Sequence, residues 1–134
     1  MSDKLLLSRF FEERGLEQER LDKVLNYIEL VEMYSKKINL ISEEDLKKII
    51  KKHIIPSLLM VPQLRAMPHA SILDLGSGSG IPGIPLKIAL SESELVLVES
   101  RRKRANFLRE TIRKLRLTKI TVVNKRIEDW CFEP

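Results

Sequence analysis

Sulfur chemistry is nearly absent from this chain. Cys131 is its only cysteine, so no internal disulfide can form, and a reducing compartment such as the cytoplasm fits that usage. Long apolar runs are missing too: nothing approaches the roughly 20 residues that span a bilayer. At the N-terminus only Leu5, Leu6 and Leu7 stand together before charge returns, which is not the pattern of a secretory signal. There is no internal repeat and no low-complexity linker. With 134 residues the chain is long enough for one core and short for two. What remains is 43% apolar and 32% charged, the profile of a folded globular chain. Neither a metal nor a membrane is expected as a partner.

Acids are scarce in one segment only. Residues 101–126 hold eleven Lys or Arg and a single acid, Glu110, whereas residues 1–100 hold thirteen bases and fifteen acids. The net charge of +5 therefore belongs to one stretch. Positive charge concentrated in this way is the footprint of a polyanionic partner.

Against this background one stretch organises the chain, Ser71 to Gly83. Ile72, Leu73 and Leu75 form an apolar run broken by Asp74 and followed by Gly76, Gly78 and Gly80. That reads as a buried strand feeding a tight turn. Pro82 and Pro85 follow, as the first turn of a helix tolerates. Gly78 to Gly83 also satisfies G-x-G-x-x-G, a weak signal alone. Asp74, two residues before Gly76, would repel a pyrophosphate and suits an amine or a cation. The frame resembles motif I of class I methyltransferases, whose ligand S-adenosylmethionine carries an ammonium and a sulfonium. A nicotinamide or flavin Rossmann domain and a purely structural turn are the alternatives.

Ahead of the motif, residues 4–14 suggest a helix with Leu6, Phe10 and Phe11 on one face, ended by Gly15. Leu21, Val24, Leu25, Ile28 and Val31 recur at helical spacing between Glu17 and Lys37. Ile38–Ile41 is a break. Ser42 to Asp45 looks like a capping box for a third helix through Ile50, with Glu43, Glu44 and Asp45 as dipole partners. Pro56 should kink or end it, and residues 57–64 continue as a turn or short helix. Pro62 and Pro68 mark the link to the strand. The second half alternates: strand 72–75, helix 82–91, strand 94–98, helix 101–116, strand 119–123. Such alternation means right-handed βαβ units and a parallel sheet. The expected organisation is a helical segment, residues 1–68, packed on an α/β half, residues 69–134.

Glu99 ends the second strand and can accept both hydroxyls of an adenosine ribose; an ordinary strand-end carboxylate is the plainer reading. The turn Asn124 to Glu128 lies at the same sheet edge. On helix 101–116 Ala105, Leu108, Ile112 and Leu115 form an apolar stripe, and Arg102, Arg109, Arg113 and Arg116 a neighbouring basic one. That basic stripe is either a solvated face or a contact for RNA phosphates, which guanidinium groups bind bidentately. His53, after Lys51 and Lys52, suits a capping or packing role.

The run Ile72 to Leu86, and then Leu97 to Arg109 with Glu99 and Phe107, resemble the ribosomal RNA small-subunit methyltransferase G family, also called glucose-inhibited division protein B. Gly-Ile-Pro-Gly-Ile-Pro-Leu at residues 80–86 is the most specific part. Asn39-Leu40 and His53 to Leu58 also sit where the family places similar elements. The resemblance implies a Rossmann-like class I methyltransferase fold and methyl transfer from S-adenosylmethionine to N7 of a guanine in small-subunit (16S) ribosomal RNA. It implies that Asp74, Gly76, Ser77, Gly78 and Gly80 hold the methionine end, Glu99 the ribose, and Arg126, Ile127 and Glu128 the adenine, with Ser100 also among the cofactor-binding residues. No catalytic side chain is assigned, because N7 is already a lone-pair nucleophile and positioning suffices. The chain departs from the family at Pro56, where an aspartate is usual, and has no counterpart of the family's later Ser-Arg-Ala and lysine-glycine elements. A non-catalytic RNA-binding module with the same fold is the alternative function. In the family's strand order the first strand is central, so its outer edge should lack a neighbour here. A longer native chain or a partner is expected to supply the missing strand, and the segment alone should self-associate.

Overall fold

A computed structural model describes residues 2–67 and 71–131, the side chain of Cys131 excepted. The link at Pro68, the boundary between residues 68 and 69, and the Cys131 thiol lie outside the described residues.

The first half is helical: α1 (Asp3–Glu13), α2 (Gln18–Ser35), α3 (Glu43–Lys47), a π-helical turn (Ile50–Ile54), α4 (Ile55–Leu58) and α5 (Val61–Arg65). Ser2 caps α1 by accepting from Leu5 N at 3.2 Å, and Gly15, at φ +66°, ends it. The buried side of α1 carries Leu7 and Phe11, a spacing of four; Leu6 and Phe10 are only half-buried. On α2 Leu21, Val24, Ile28 and Val31 are buried as their spacing foretold, Leu25 is only half-buried, and Tyr27 and Leu30 join the buried side.

The third helix differs from expectation. Ser42 Oγ does accept from Asp45 N at 3.1 Å, but α3 ends at Lys47 and the chain then widens into the π-helical turn. Pro56 explains the widening. Its ring lacks an N–H and crowds the carbonyl four residues back, which a π turn relieves without breaking the helix. So Pro56 sits in the first turn of α4 rather than ending a helix. Asp45 is also more than a dipole partner, since its carboxylate meets Lys52 Nζ at 2.6 Å and lies 3.5 Å from His53 Nε2.

The second half alternates as read: β1 (Ile72–Leu75), α6 (Gly83–Ala89), β2 (Leu95–Val98), α7 (Arg102–Leu115), β3 (Ile120–Val123) and α8 (Ile127–Cys131). The sheet is parallel in the order β1-β2-β3, with Ile72 opposite Leu95 and Leu95 opposite Ile120. One hydrophobic cluster joins both halves, from Leu7 and Tyr27 through Ile54 and Ile84 to Leu97 and Leu108. Helices α2, α6 and α7 thus share one face of the sheet. Alternation sets the other face: Ile72 and Asp74 turn inward, while Leu73 and Leu75 are 44% and 46% exposed. Ile72 N donates to Glu94 O and Gly76 N to Val98 O. Leu73 and Leu75, at the alternate positions, present their backbone groups away from β2.

Candidate functional site

In a parallel sheet all strands end at one edge, and the loops leaving that edge make the site. Here three loops meet there: the glycine turn after β1, Glu99–Arg101 after β2, and Asn124–Arg126 after β3. Between them opens a cavity of about 540 Å³, lined by Gly76, Val98, Ser100, Arg101, Lys125, Arg126, Ile127 and Glu128. That is within the roughly 300–1,000 Å³ of small-molecule sites. A second depression of about 630 Å³ lies at the opposite ends of the strands, near Ser71, Glu94 and Lys119. It is away from the loops that follow the strands.

The glycines divide into two kinds. Gly76 (φ +71°) and Gly78 (φ +57°) need their backbone freedom, and a Cβ on either would meet little or nothing. Gly80 (φ +96°) faces the core, where a Cβ would lie 2.7 Å from Ile84 and 3.0 Å from Leu108. Gly83 is similarly closed, 2.5 Å from Leu97 and 2.7 Å from an Asp74 oxygen. Of the turn residues expected at the methionine end, Gly76 lines the cavity. Ser77 is buried and donates to the Asp74 carbonyl at 3.1 Å. Gly80 packs inward.

Both acids are committed to the backbone. Asp74 Oδ2 accepts from Gly83 N at 3.1 Å, so the carboxylate sits under the start of α6. Burial is the main reason its pKa rises to about 6; nearby Glu99 adds to the rise and the Gly83 N–H opposes it. Glu99 is 4% exposed. Its Oε1 accepts from Gly78 N and its Oε2 from Arg101 N, each at 2.9 Å. It therefore ties the glycine turn to the start of α7. Asn124 closes the third loop onto the second, donating to Glu99 O at 2.9 Å and Ser100 O at 3.0 Å.

The segment read as a turn through Glu128 is already helix from Ile127, so Ile127 and Glu128 belong to the first turn of α8. Arg126 O accepts from Asp129 N and Trp130 N. Ser100, Arg126, Ile127 and Glu128 line the same cavity. Val98, Arg101 and Lys125 join them; each is a sequence neighbour of a residue already singled out, and strand alternation was the signal for Val98.

Arg102, Arg109, Arg113 and Arg116 are exposed along α7. Arg113 is bound to Glu110, with Nε donating at 3.1 Å; Arg109 donates to Asn106 at 3.3 Å. Arg116 caps the helix in the left-handed conformation (φ +54°). At the other end of α7, Arg104 donates to Asn39 O at 2.9 Å, fastening the loop after α2 beside the site. His53 lies outside this group, in the π-helical turn.

Comparison with known proteins agrees with this geometry. Residues 20–133 match the family described as rRNA small subunit methyltransferase G. Proteins named ribosomal RNA small subunit methyltransferase G are similar: one from Clostridium kluyveri is 38% identical over 112 residues, covering 84% of this chain and 47% of that protein. One from Desulfitobacterium hafniense is 37% identical over 132 residues, covering 96% and 54%. One from Klebsiella pneumoniae is 35% identical over 130 residues, covering 96% and 61%. The chain spans about half the length of the relatives it matches. With its parallel three-stranded sheet, glycine turn and family match, the chain belongs to the rRNA small subunit methyltransferase G family.

Proposed function

We propose that this chain carries the cofactor half of an S-adenosylmethionine-dependent methyltransferase acting on N7 of a guanine in small-subunit ribosomal RNA. The observation that carries the reading is the cavity between the three loops at the carboxyl edge of the sheet, where Gly76 leaves open space beside Ser100 and Arg126 to Glu128. When bound, the cofactor supplies an electrophilic methyl group on its sulfonium. Asp74 and the turn Gly76 to Gly80 would hold its methionine end, Glu99 the ribose, and Arg126, Ile127 and Glu128 the adenine, with Ser100 also among the cofactor-binding residues. Both Glu99 oxygens already accept one amide each, and a carboxylate oxygen has a second lone-pair direction. Guanine N7 needs no base, so the protein's task is to bind and align.

RNA would lie along α7, where Arg102, Arg109, Arg113 and Arg116 are exposed. Residues 1–68 would serve as a helical platform, since the core runs without a break from α1 to α7. Among the described residues no helix is long and apolar enough to cross a membrane, and a cytoplasmic place is proposed because the substrate is there. β1's outer edge, where the backbone groups of Leu73 and Leu75 point away from β2, would take a strand from a longer chain or a partner.

Calorimetric titration with S-adenosylhomocysteine, with NADH as control, tests the cofactor reading. Binding of the adenosyl ligand alone is expected; binding of NADH alone would sink it. Filter binding to small-subunit RNA beside a methyl-transfer assay tests the reaction. Steep salt dependence with no methyl incorporation would favour an RNA-binding module instead.

A further inference from the structure

Among the described residues, Tyr27 carries the hydrogen bond from helix α2 to the glycine turn. Tyr27 is fully buried, and its hydroxyl donates to the Ser79 carbonyl at 2.6 Å. That carbonyl belongs to the Ser79–Gly80 peptide, whose N–H donates to Ser77 O at 2.7 Å. Both polar groups of one peptide unit are therefore held. Directly beneath, a Cβ on Gly80 would come within 3.4 Å of the Tyr27 oxygen, 3.0 Å of Leu108 and 2.7 Å of Ile84. The peptide thus rests on the junction of α2, α6 and α7.

Gly78, two residues away, is held from the opposite side by Glu99. Burial pushes the phenol far above its ordinary pKa, so the hydroxyl remains a donor across the working pH range. A tyrosine that only filled core volume would not need its oxygen at the turn. Phenylalanine would fill the same space and leave the Ser79 carbonyl without this donor.

We propose that Tyr27 is a positioning residue for the cofactor: its hydroxyl fixes the Ser79–Gly80 peptide, and so presets the turn that presents Gly76 and Gly78. This makes the N-terminal helical segment a working part of the cofactor site. The inference rests on the cofactor reading above, and the test separates the two.

Tyr27→Phe is compared with Val24→Ala, which removes buried volume from the same helix and leaves the turn's hydrogen bonds intact. Tyr27→Phe should bind S-adenosylhomocysteine about tenfold more weakly than the parent, because the turn must be ordered by the ligand itself. Amide exchange at Gly78 and Gly80 should speed up about tenfold in the ligand-free protein, with β2 amides unchanged. Val24→Ala should lose more thermal stability while keeping the parent's affinity and turn exchange. Unchanged exchange in Tyr27→Phe overturns the role of Tyr27, whatever the ligand does. So does a Val24→Ala chain that loses affinity to the same extent. A parent chain that fails to bind S-adenosylhomocysteine refutes the cofactor reading instead, and is recognised before either variant is made.

Discussion

Asp74→Asn should make the ligand-free protein more stable and the cofactor site worse. Asp74 is an inward-facing carboxylate on β1, with its pKa raised from 3.8 to about 6 chiefly by burial. An acid whose folded pKa is raised holds its proton more tightly when folded. Its ionisation therefore weakens the fold as pH climbs from about 4 to 6, and the cost is constant above that. At 1.36 kcal/mol per pH unit the shift corresponds to about 3 kcal/mol, reduced to about 1–2 because the group is only partly shielded from solvent. Asparagine keeps an oxygen for Gly83 N and carries no charge. Urea unfolding of parent and variant from pH 4 to 8 measures the effect as a difference. That difference removes other acids, such as Asp45 and Glu110, whose ion pairs lower their pKa and act in the opposite sense. The variant should gain about 1–2 kcal/mol on the parent at pH 7, with the gain vanishing near pH 4. Its affinity for S-adenosylhomocysteine should fall about tenfold, through loss of the ammonium's partner. A variant less stable than the parent at pH 7 would refute the desolvation argument. Equal affinity would remove Asp74 from the methionine end.

Gly80→Ala should cost at least about 3 kcal/mol in a thermal or denaturant melt, from positive φ and core overlap together. Gly76→Ala, with open space around it, should cost only about 1–2 kcal/mol while weakening S-adenosylhomocysteine binding at least as much. Glu99→Ala should lose both affinity and about 1–3 kcal/mol of stability, since two backbone amides are left without their acceptor; titration at parent affinity would withdraw the ribose assignment. Changing Arg102, Arg109 and Arg116 together to Ala should flatten the salt dependence of RNA filter binding by roughly 2–3 in log–log slope. An unchanged slope would mark the stripe as a solvated face.

The alternation of strands and helices was legible because short apolar runs, Ile72 to Leu75 and Leu95 to Val98, are set off by the glycine turn and by the amphipathic stretch 101–116. The π-helical turn was not, because Pro56 forbids an ordinary helix without saying which departure relieves it. Gly76 to Gly83 announced a turn, yet a glycine pattern cannot separate residues that clear space for a ligand from those that clear space for a neighbour. Gly76 and Gly78 face open space, whereas Gly80 and Gly83 clear space for neighbours, and only the positions of Ile84, Leu108 and Leu97 tell them apart. Tyr27 was hidden for the related reason that an aromatic residue among Val24, Ile28 and Val31 reads as core, and it is core. Its second role depends on one hydrogen bond across 52 positions of sequence, and no local pattern encodes that. The same limit applied to Glu99. Its place at the end of β2 was plain, whereas its grip on Gly78 arises only once the parallel register sets β2 beside β1. The turn's shape is therefore a property of three places in the chain, α2, β1 and the loop after β2, which contribute Tyr27, Asp74 and Glu99 to it. Removing the polar group of Tyr27, Asp74 or Glu99 should be felt at the glycine turn before it is felt in the sheet.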